Sequence, residues 1–438
     1  MMNRRFLTTI ISILCVSNMM AYNAILSRYI KQDYQGWADS LTHVLITNFL
    51  NTNKGTFYST PHDVEKSSTY IYWQQAHAMD VLIYGYENNL ESNPTLASRY
   101  KLYMRRWVQN HANNYYSSSS DGTGFLNPYT DDMCWICLTL IHMGEATETS
   151  TYITTAKTVF DRYIITRGKE TEDGIMLPWN WDQGAGPNAC TNSPACLVAA
   201  KLYNHYGTEK YLTYAEGLYN YVVKKIAKGD GRVEEPPLSY TQGTFGEACR
   251  QLYHITGDVK YRTMCTNVLN YAVTSGRCVS NGILRHEGTS MDQSIFKAVL
   301  IPYLVNYVLD ETIPTAGRRT ILSFLITQCN TLWKNLDKDA YPQMYSSYYW
   351  GEKWDTSKTA SMGANTSGAS LMENMRRCAI SLTTKEDESH VVEISQDMKP
   401  QTFDVYTLDG KCLLRGATDT GNLPKGIYII NGRKRVVQ

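Results

Sequence analysis

Net charge is nearly absent from this chain: 42 Lys and Arg face 41 Asp and Glu, a formal +1. A partner with a charged backbone or an anionic membrane surface would find no basic footprint, so no nucleic acid is expected to bind. Long apolar runs are missing as well. Past the first two dozen residues no stretch of about twenty apolar residues occurs, so no membrane span is expected and the mature chain should be soluble. Metal motifs are incomplete. Cys134 and Cys137 have the spacing of a zinc or redox half-site, yet no second CxxC and no HxxxH accompanies them. They read as small apolar helix residues, and no metal or cofactor is expected.

Aromatic side chains are abundant, with 33 Tyr and 9 Trp. Most must pack helices, but flat, partly polar rings also suit the wall of a sugar-binding cleft. At the N-terminus, Arg4 and Arg5 precede the apolar run Phe6 to Val16, with Ala21 at a plausible cleavage point. Residues 1–21 therefore read as a secretory leader, too short for a span. Cys15 follows Leu14, a poor context for a lipid anchor. Use of the secretion machinery is expected, with the extracellular medium or outer surface as destination and the periplasm as the alternative. Export permits disulfides, and Cys190 and Cys196, either side of a short loop, are left open as a pair.

From about Tyr34 to Thr383 the pattern is helical. "LYNHYGTEKYLTYAEGLYNYV" from Leu202 and "LYHITGDVKYRTMCTNVLNYAV" from Leu252 repeat one design, a helix end, a Gly turn and a second helix, at an offset of fifty residues. One hairpin of that size cannot bury both faces, so hairpins must stack, as an open solenoid or a closed toroid of six or seven. Short loops such as "GTEK" alternate with long ones rich in Gly, Trp, Asn and Pro. The long loops should share a face, and that face should hold the site. Residues 22–383 form this all-α domain. Residues 384–398 read as a polar linker and 399–438 as a small β module.

Two adjacent acids, Asp131 and Asp132, open an otherwise apolar helix from Met133 to Met143. Acids at a helix start ordinarily only cap it. They also suit glycosidic chemistry, which needs two carboxyl groups in different protonation states. The helix N-terminus stabilises one as an anion, and that charge raises the pKa of the other.

"YTDDMCW" from Tyr129 resembles the hallmark of glycoside hydrolase family 76, the α-1,6-mannanases. So do "YWQQAHAMDVL" from Tyr72, "PNACTNSPACLVAAKLY" from Pro187, "SYTQGTFGEACRQLY" from Ser239 and "DQSIFKAVLIPYL" from Asp292, in order along the chain. The resemblance implies an (α/α)6 toroid and retaining hydrolysis of α-1,6-linked mannan or mannooligosaccharides, with endo action expected and no metal. It implies Asp131 as nucleophile and Asp132 as acid/base. Trp73, Gln74, Tyr129, Trp135, Trp181, Asn188, Asn192, Tyr240, Gln242, Asp292 and Gln293 become candidate substrate contacts. Trp179, Trp350 and Trp354 are further candidates for stacking, and His77 reads as a core histidine. Two departures stand out: Pro187 replaces a basic residue, and the segment before Tyr240 is short, with Glu234 its nearest acid. The tail "GIYIINGRKRVVQ" resembles C-terminal sorting modules of Bacteroidetes-type secreted proteins.

Three other readings compete. Transfer to a sugar acceptor would use the same covalent intermediate. Toroidal enzymes acting on unsaturated uronides typically show separated acids, which the adjacent pair argues against. A mannan-binding surface protein without catalysis would have no need of both aspartates.

Overall fold

The computed structural model describes residues 26–62, 64, 71–115, 124–180, 188–234 and 238–393, and in the tail 403–407, 411–417, 423–430 and 433–437. The leader expected at residues 1–21 lies outside them. By its internal contacts the chain divides between Thr383 and Thr384 into two units.

Twelve α-helices begin in the first unit among its described residues, and they alternate in kind. The outer set is α1 (Gln35–Phe49), α3 (Pro94–Tyr115), α5 (Ser150–Val159), α7 (Glu209–Lys225), α9 (Val259–Thr274) and α11 (Thr315–Asn335). The inner set is α2 (Trp73–Asn89), α4 (Thr130–Thr147), α6 (Ala189–Tyr206), α8 (Ser239–Thr256), α10 (Met291–Leu309) and α12 (Met362–Glu393). Sequence patterning dictates the sorting. Helix α7 buries Tyr211, Tyr214, Ala215, Leu218, Tyr219 and Val222, one stripe at three- and four-residue spacing, and so lies on a surface. Helix α4 buries every residue from Met133 to Ile141, so it must be surrounded.

The inner helices form a ring. Neighbours pack in the order α2, α4, α6, α8, α10. Helix α12 closes it: Ser367 and Ser370 donate to the carbonyls of Ser294 and Ala298 on α10, and Asn88 of α2 donates to Glu373 at 2.8 Å. Close approach requires small residues. A Cβ on Gly243 of α8 would stand 2.8 Å from the Cα of Leu300 on α10. The six hairpins and the closed ring are the (α/α)6 toroid. The short loops leave the inner helices at Gly207 (φ 59°) and Gly257 (φ 72°), left-handed caps where glycine costs least.

The long loops lead into the inner helices and carry small hairpins: β1 (Leu50–Asn51) with β2 (Thr56–Phe57), β3 (Lys169–Thr171) with β4 (Gly174–Met176), and β5 (Val279–Ser280) with β6 (Ile283–Leu284). Buried carboxamides tie these loops down. Gln75 takes Phe57 N–H and gives to its carbonyl, both at 2.8 Å. Asn192 does the same to Leu177 at 2.9 and 3.2 Å. Gln242 takes Val233 N–H and gives to the Gly231 and Val268 carbonyls. Gln328 and Asn365 hold Leu284 and Ser346 likewise. Each amide supplies the donor and acceptor that a neighbouring strand would otherwise supply.

All ten described cysteines are unpaired. Cys190 and Cys196 lie on one helix, α6, not on either side of a loop. Six residues of rise, about 9 Å, put them beyond disulfide reach. Helix α12 continues to Glu393, so the first part of the linker expected at 384–398 is helical. In the second unit, β7 (Phe403–Tyr406), β8 (Cys412–Ala417), β9 (Gly426–Ile430) and β10 (Arg433–Val437) form one antiparallel sheet in the order β10-β9-β7-β8. Among the described residues no helix is long and apolar enough to cross a membrane.

The ring is lined at its two ends by different chemistry. Toward the C-terminal ends of the inner helices a cavity of about 260 Å³ holds balanced charges. His142 contacts Asp80 at 3.1 Å and Glu87 at 3.3 Å. Lys201 pairs with Glu145 at 2.9 Å and Arg250 with Glu247 at 2.8 Å. Burial opposes charge here, but the partners win. His142 is raised from 6.5 to about 9, while Asp80 and Glu145 fall to about 2. A raised histidine pKa stabilises the fold fully below pH 6.5, and that contribution fades as pH climbs through about 9. The depressed acids contribute above pH 3.8 and 4.5 and lose that contribution as pH falls through about 2. Replacing His142 by Gln should therefore cost on the order of 2 kcal/mol near pH 5.5, and the gap to the parent should close toward pH 9. Denaturant unfolding of both proteins across that range measures it, and a pH-independent gap would contradict the assignment.

Candidate active site

At the opposite end the N-termini of five inner helices converge on a cleft of about 510 Å³. Each helix start brings unpaired N–H groups and the positive end of its dipole, so the cleft favours negative charge. The start of α4 supplies it. Tyr129 is the N-cap, Thr130 the first helical residue, and Asp131 and Asp132 fill the first turn.

This turn is clamped from three sides. Thr130 N–H donates to the Trp179 carbonyl at 2.8 Å. Arg167 donates to the Asn127 and Pro128 carbonyls and to Thr130 Oγ1. Asn127 Oδ1 takes Tyr129 N–H at 2.8 Å, and its Nδ2 donates to Asp132 Oδ2 at 3.1 Å. The indole N–H of Trp179 donates to Asp131 Oδ2 at 3.1 Å.

Both carboxyl groups line the cleft yet are strongly desolvated, and desolvation raises both pKa values. Burial lifts Asp131 from 3.8 to about 7, against the pull of Trp179 N–H and the first-turn amides. Among the described residues its buried Oδ1 makes no full hydrogen bond. Asp132 is also lifted well above its ordinary value, by burial, then by the charge of Asp131, then by that of Asp292, with Asn127 opposing. The two groups titrate as a pair, and their surroundings differ: the Trp179 N–H favours the charged form of Asp131, whereas the charges of Asp131 and Asp292 oppose ionisation of Asp132.

Aromatic rings make the floor. Tyr240 and Phe296 stack at 4.1 Å, with Trp73 6.4 Å and 6.2 Å away. Trp135 lines the cleft but is almost wholly buried, 6.1 Å from Trp73. Beneath them His77 is buried on α2, 5.2 Å from Trp135, its Nδ1 3.4 Å from Asp80. Asp292 Oδ1 takes the Trp73 indole N–H at 2.9 Å and the Gln74 amide. At the rim Tyr129 and Trp179 lie 5.0 Å apart and stay partly exposed.

Of the residues singled out from sequence, Asp131, Asp132, Trp73, Gln74, Tyr129, Trp135, Tyr240 and Asp292 come together here. Others do not. Asn192 and Gln242 are fully buried braces of the preceding loops and face no cleft. Asn188 caps α6 through Thr191 N–H at 2.9 Å. Gln293 exchanges hydrogen bonds with Ser290 at the start of α10. Trp350 is buried, with its face toward Lys297, and Trp354 packs on Tyr345 and Tyr348. Trp181 lies outside the described residues. Glu234 accepts Ala189 N–H at the start of α6. Tyr72 and Phe296 line the cleft without having been singled out, Cys190 lines it after being considered only for a disulfide, and Trp179, expected only to stack, is a hydrogen-bond donor. Among the described residues no cluster of His, Cys, Asp and Glu could hold a metal ion.

A family model, glycosyl hydrolase family 76, matches residues 34–381. Comparison with curated proteins returns no match. Among solved structures, an α-1,6-mannanase of Salegentibacter sp. HEL1_6, inactivated at two adjacent aspartates and bound to α-1,6-mannotetrose, is similar at a TM-score of 0.69 and 22% identity, covering 79% of this chain and all of that one (100%). A family 76 mannosidase of Bacteroides thetaiotaomicron has a TM-score of 0.61 at 15% identity over 81% of this chain and 100% of its own. Dfg5 of Chaetomium thermophilum, in complex with glucosamine, gives 0.61 and 15% over 79% and 90%.

If Asn192 braces its loop, Asn192→Leu should destabilise the fold by about 2–4 kcal/mol, because backbone groups of Leu177 and Asn188 lose their partners in the interior. Denaturant unfolding tests this. A weakened KM with unchanged stability would return Asn192 to the substrate.

Proposed function

The chain belongs to glycosyl hydrolase family 76, and from that premise we propose that it cleaves α-1,6-mannosidic bonds within mannan, with retention at the anomeric carbon. The observation that carries the reading is the adjacent, desolvated carboxyl pair lining an aromatic cleft, each member held by a different donor. The α-1,6-mannotetrose held by the Salegentibacter relative supports the substrate, as does that enzyme's inactivation at two neighbouring aspartates.

In the first step the Asp131 carboxylate attacks the anomeric carbon. Asp132 gives its proton to the departing glycosidic oxygen, so the leaving chain departs neutral. The product is a mannosyl ester on Asp131, and Asp132 is now charged. In the second step Asp132 takes a proton from water as the water attacks the same carbon, releasing the esterified mannan chain with its original anomeric configuration and restoring both groups. Esterification removes the negative charge of Asp131, so Asp132 becomes a weaker acceptor of protons just as the leaving oxygen has taken its own. Rings such as Trp73 and Tyr240 offer apolar faces to the sugar while their polar atoms hold the floor together. The leader and the tail together favour delivery to the outer surface or the medium.

Linear α-1,6-mannan incubated with the purified protein should yield oligosaccharides, and NMR should detect the α-anomer first. Asp131→Asn and Asp132→Asn should each lower kcat by at least about 10³-fold while α-1,6-mannotriose still binds. Products longer than a supplied oligomer would instead indicate transfer. Binding to mannan without any cleavage by the parent protein would leave a carbohydrate-binding protein.

A further inference from the structure

Two identical side chains placed side by side do not by themselves decide which is nucleophile and which is acid. Both sit in one turn, both are desolvated, and each repels the other's charge. The decision must come from groups that treat them differently. Among the described residues around the pair three do so. From the loop before α6 comes Trp179, whose indole N–H donates to Asp131 Oδ2 at 3.1 Å. From the loop before α4 comes Asn127, whose amide donates to Asp132. From α10 comes Asp292, a third carboxylate in the same cleft, fixed by two N–H donors from Trp73 and Gln74. The remaining titratable groups facing the cleft among the described residues are the Cys190 thiol from α6, the Tyr240 phenol from α8, and the Tyr72 and Tyr129 phenols. Burial raises Cys190 and Tyr240 well above the neutral range, so they stay uncharged. Behind the turn, Arg167 is spent on two carbonyls and Thr130 Oγ1.

We propose that Trp179 and Asp292 are positioning residues that assign the two roles, Trp179 by holding Asp131 in its charged form and Asp292 by setting a negative charge against ionisation of Asp132. A hydrogen bond to the charged form of an acid favours ionisation, and a nearby like charge opposes it. The two devices act on different members of the pair and in opposite directions, so their effects add to the asymmetry. Trp179 is also anchored at its other end, since its carbonyl accepts Thr130 N–H at 2.8 Å. The same residue therefore places the turn and polarises its first acid. Asp292 sits across the cleft on a different helix, and its two donors belong to the start of α2. Three inner helices are thereby required before the pair becomes unequal.

This inference rests on the mannanase reading only through its activity assay. The kcat/KM profile should be bell-shaped, its acidic limb reporting ionisation of Asp131 and its alkaline limb that of Asp132. Trp179→Phe keeps an aromatic ring beside Tyr129 and removes the N–H. It should move the acidic limb upward by about one pH unit and leave the alkaline limb in place. Asp292→Asn keeps an oxygen for Trp73 and Gln74 and removes the charge. It should move the alkaline limb downward by about one unit and leave the acidic limb. A residue that merely supported the fold would lower the whole curve without moving either limb. Limbs that stay put, or that move in the wrong member, overturn the proposal. Thermal unfolding of each variant establishes that it is folded, and if Trp179→Phe is not, the Asp292→Asn limb decides alone. Should the parent fail to cleave mannan, the functional reading falls separately. Carbon-13 NMR titration of Asp-labelled protein, assigned with Asp131→Asn and Asp132→Asn, then reads the same two shifts without substrate.

Discussion

Desolvation of two neighbouring carboxyl groups is the constraint around which this ring is arranged. Left in water, Asp131 and Asp132 would both be charged near neutrality and neither could serve as an acid. Buried without help, both would hold their protons and neither could attack. The helix N-termini that converge on the cleft, the indole and amide donors, and a third acid across the floor place the pair between these limits. Parallel inner helices are needed for this, because only their N-terminal ends offer unpaired amides in one place.

The same ring has another end, and it solves a different problem. Where the C-termini of the inner helices gather, the dipoles favour cations, and His142, Lys201, Arg250 and Arg377 stand among Asp80, Glu87, Glu145 and Glu247. The aromatic floor of Trp73, Trp135, Tyr240 and Phe296, with His77 beneath it, separates the two chemistries. Charges that would disturb the acid pair are thus kept to the far side, where they pair with one another.

Much of this was legible in the sequence. The stacked helical hairpins follow from the amphipathic pattern and the fifty-residue repeat, and the shared face of the long loops follows from that stacking. Asp131 and Asp132 stood out because adjacent acids at the mouth of an apolar helix contradict their surroundings. The errors have a common physical origin. Asn192 and Gln242 have the polarity of sugar-binding groups, and a buried amide bonded to backbone looks identical in sequence to one aimed at a hydroxyl. Only burial separates them. Trp179 is 48 residues from Asp131 along the chain, and no local pattern announces a contact made by loop geometry. Read from sequence, Cys190 and Cys196 stand on either side of a short loop, yet one helix carries both and runs through Pro194 between them.

The carboxamides that hold the long loops have a consequence for how such a ring can change. Gln75, Asn192, Gln242, Gln328 and Asn365 each grip main-chain atoms and ignore the side chains hung on them. A loop so held can be rewritten in sequence, or exchanged as a cassette, provided its grip points keep their spacing. The barrel would then serve as a chassis, with new sugar preferences grafted onto it one segment at a time.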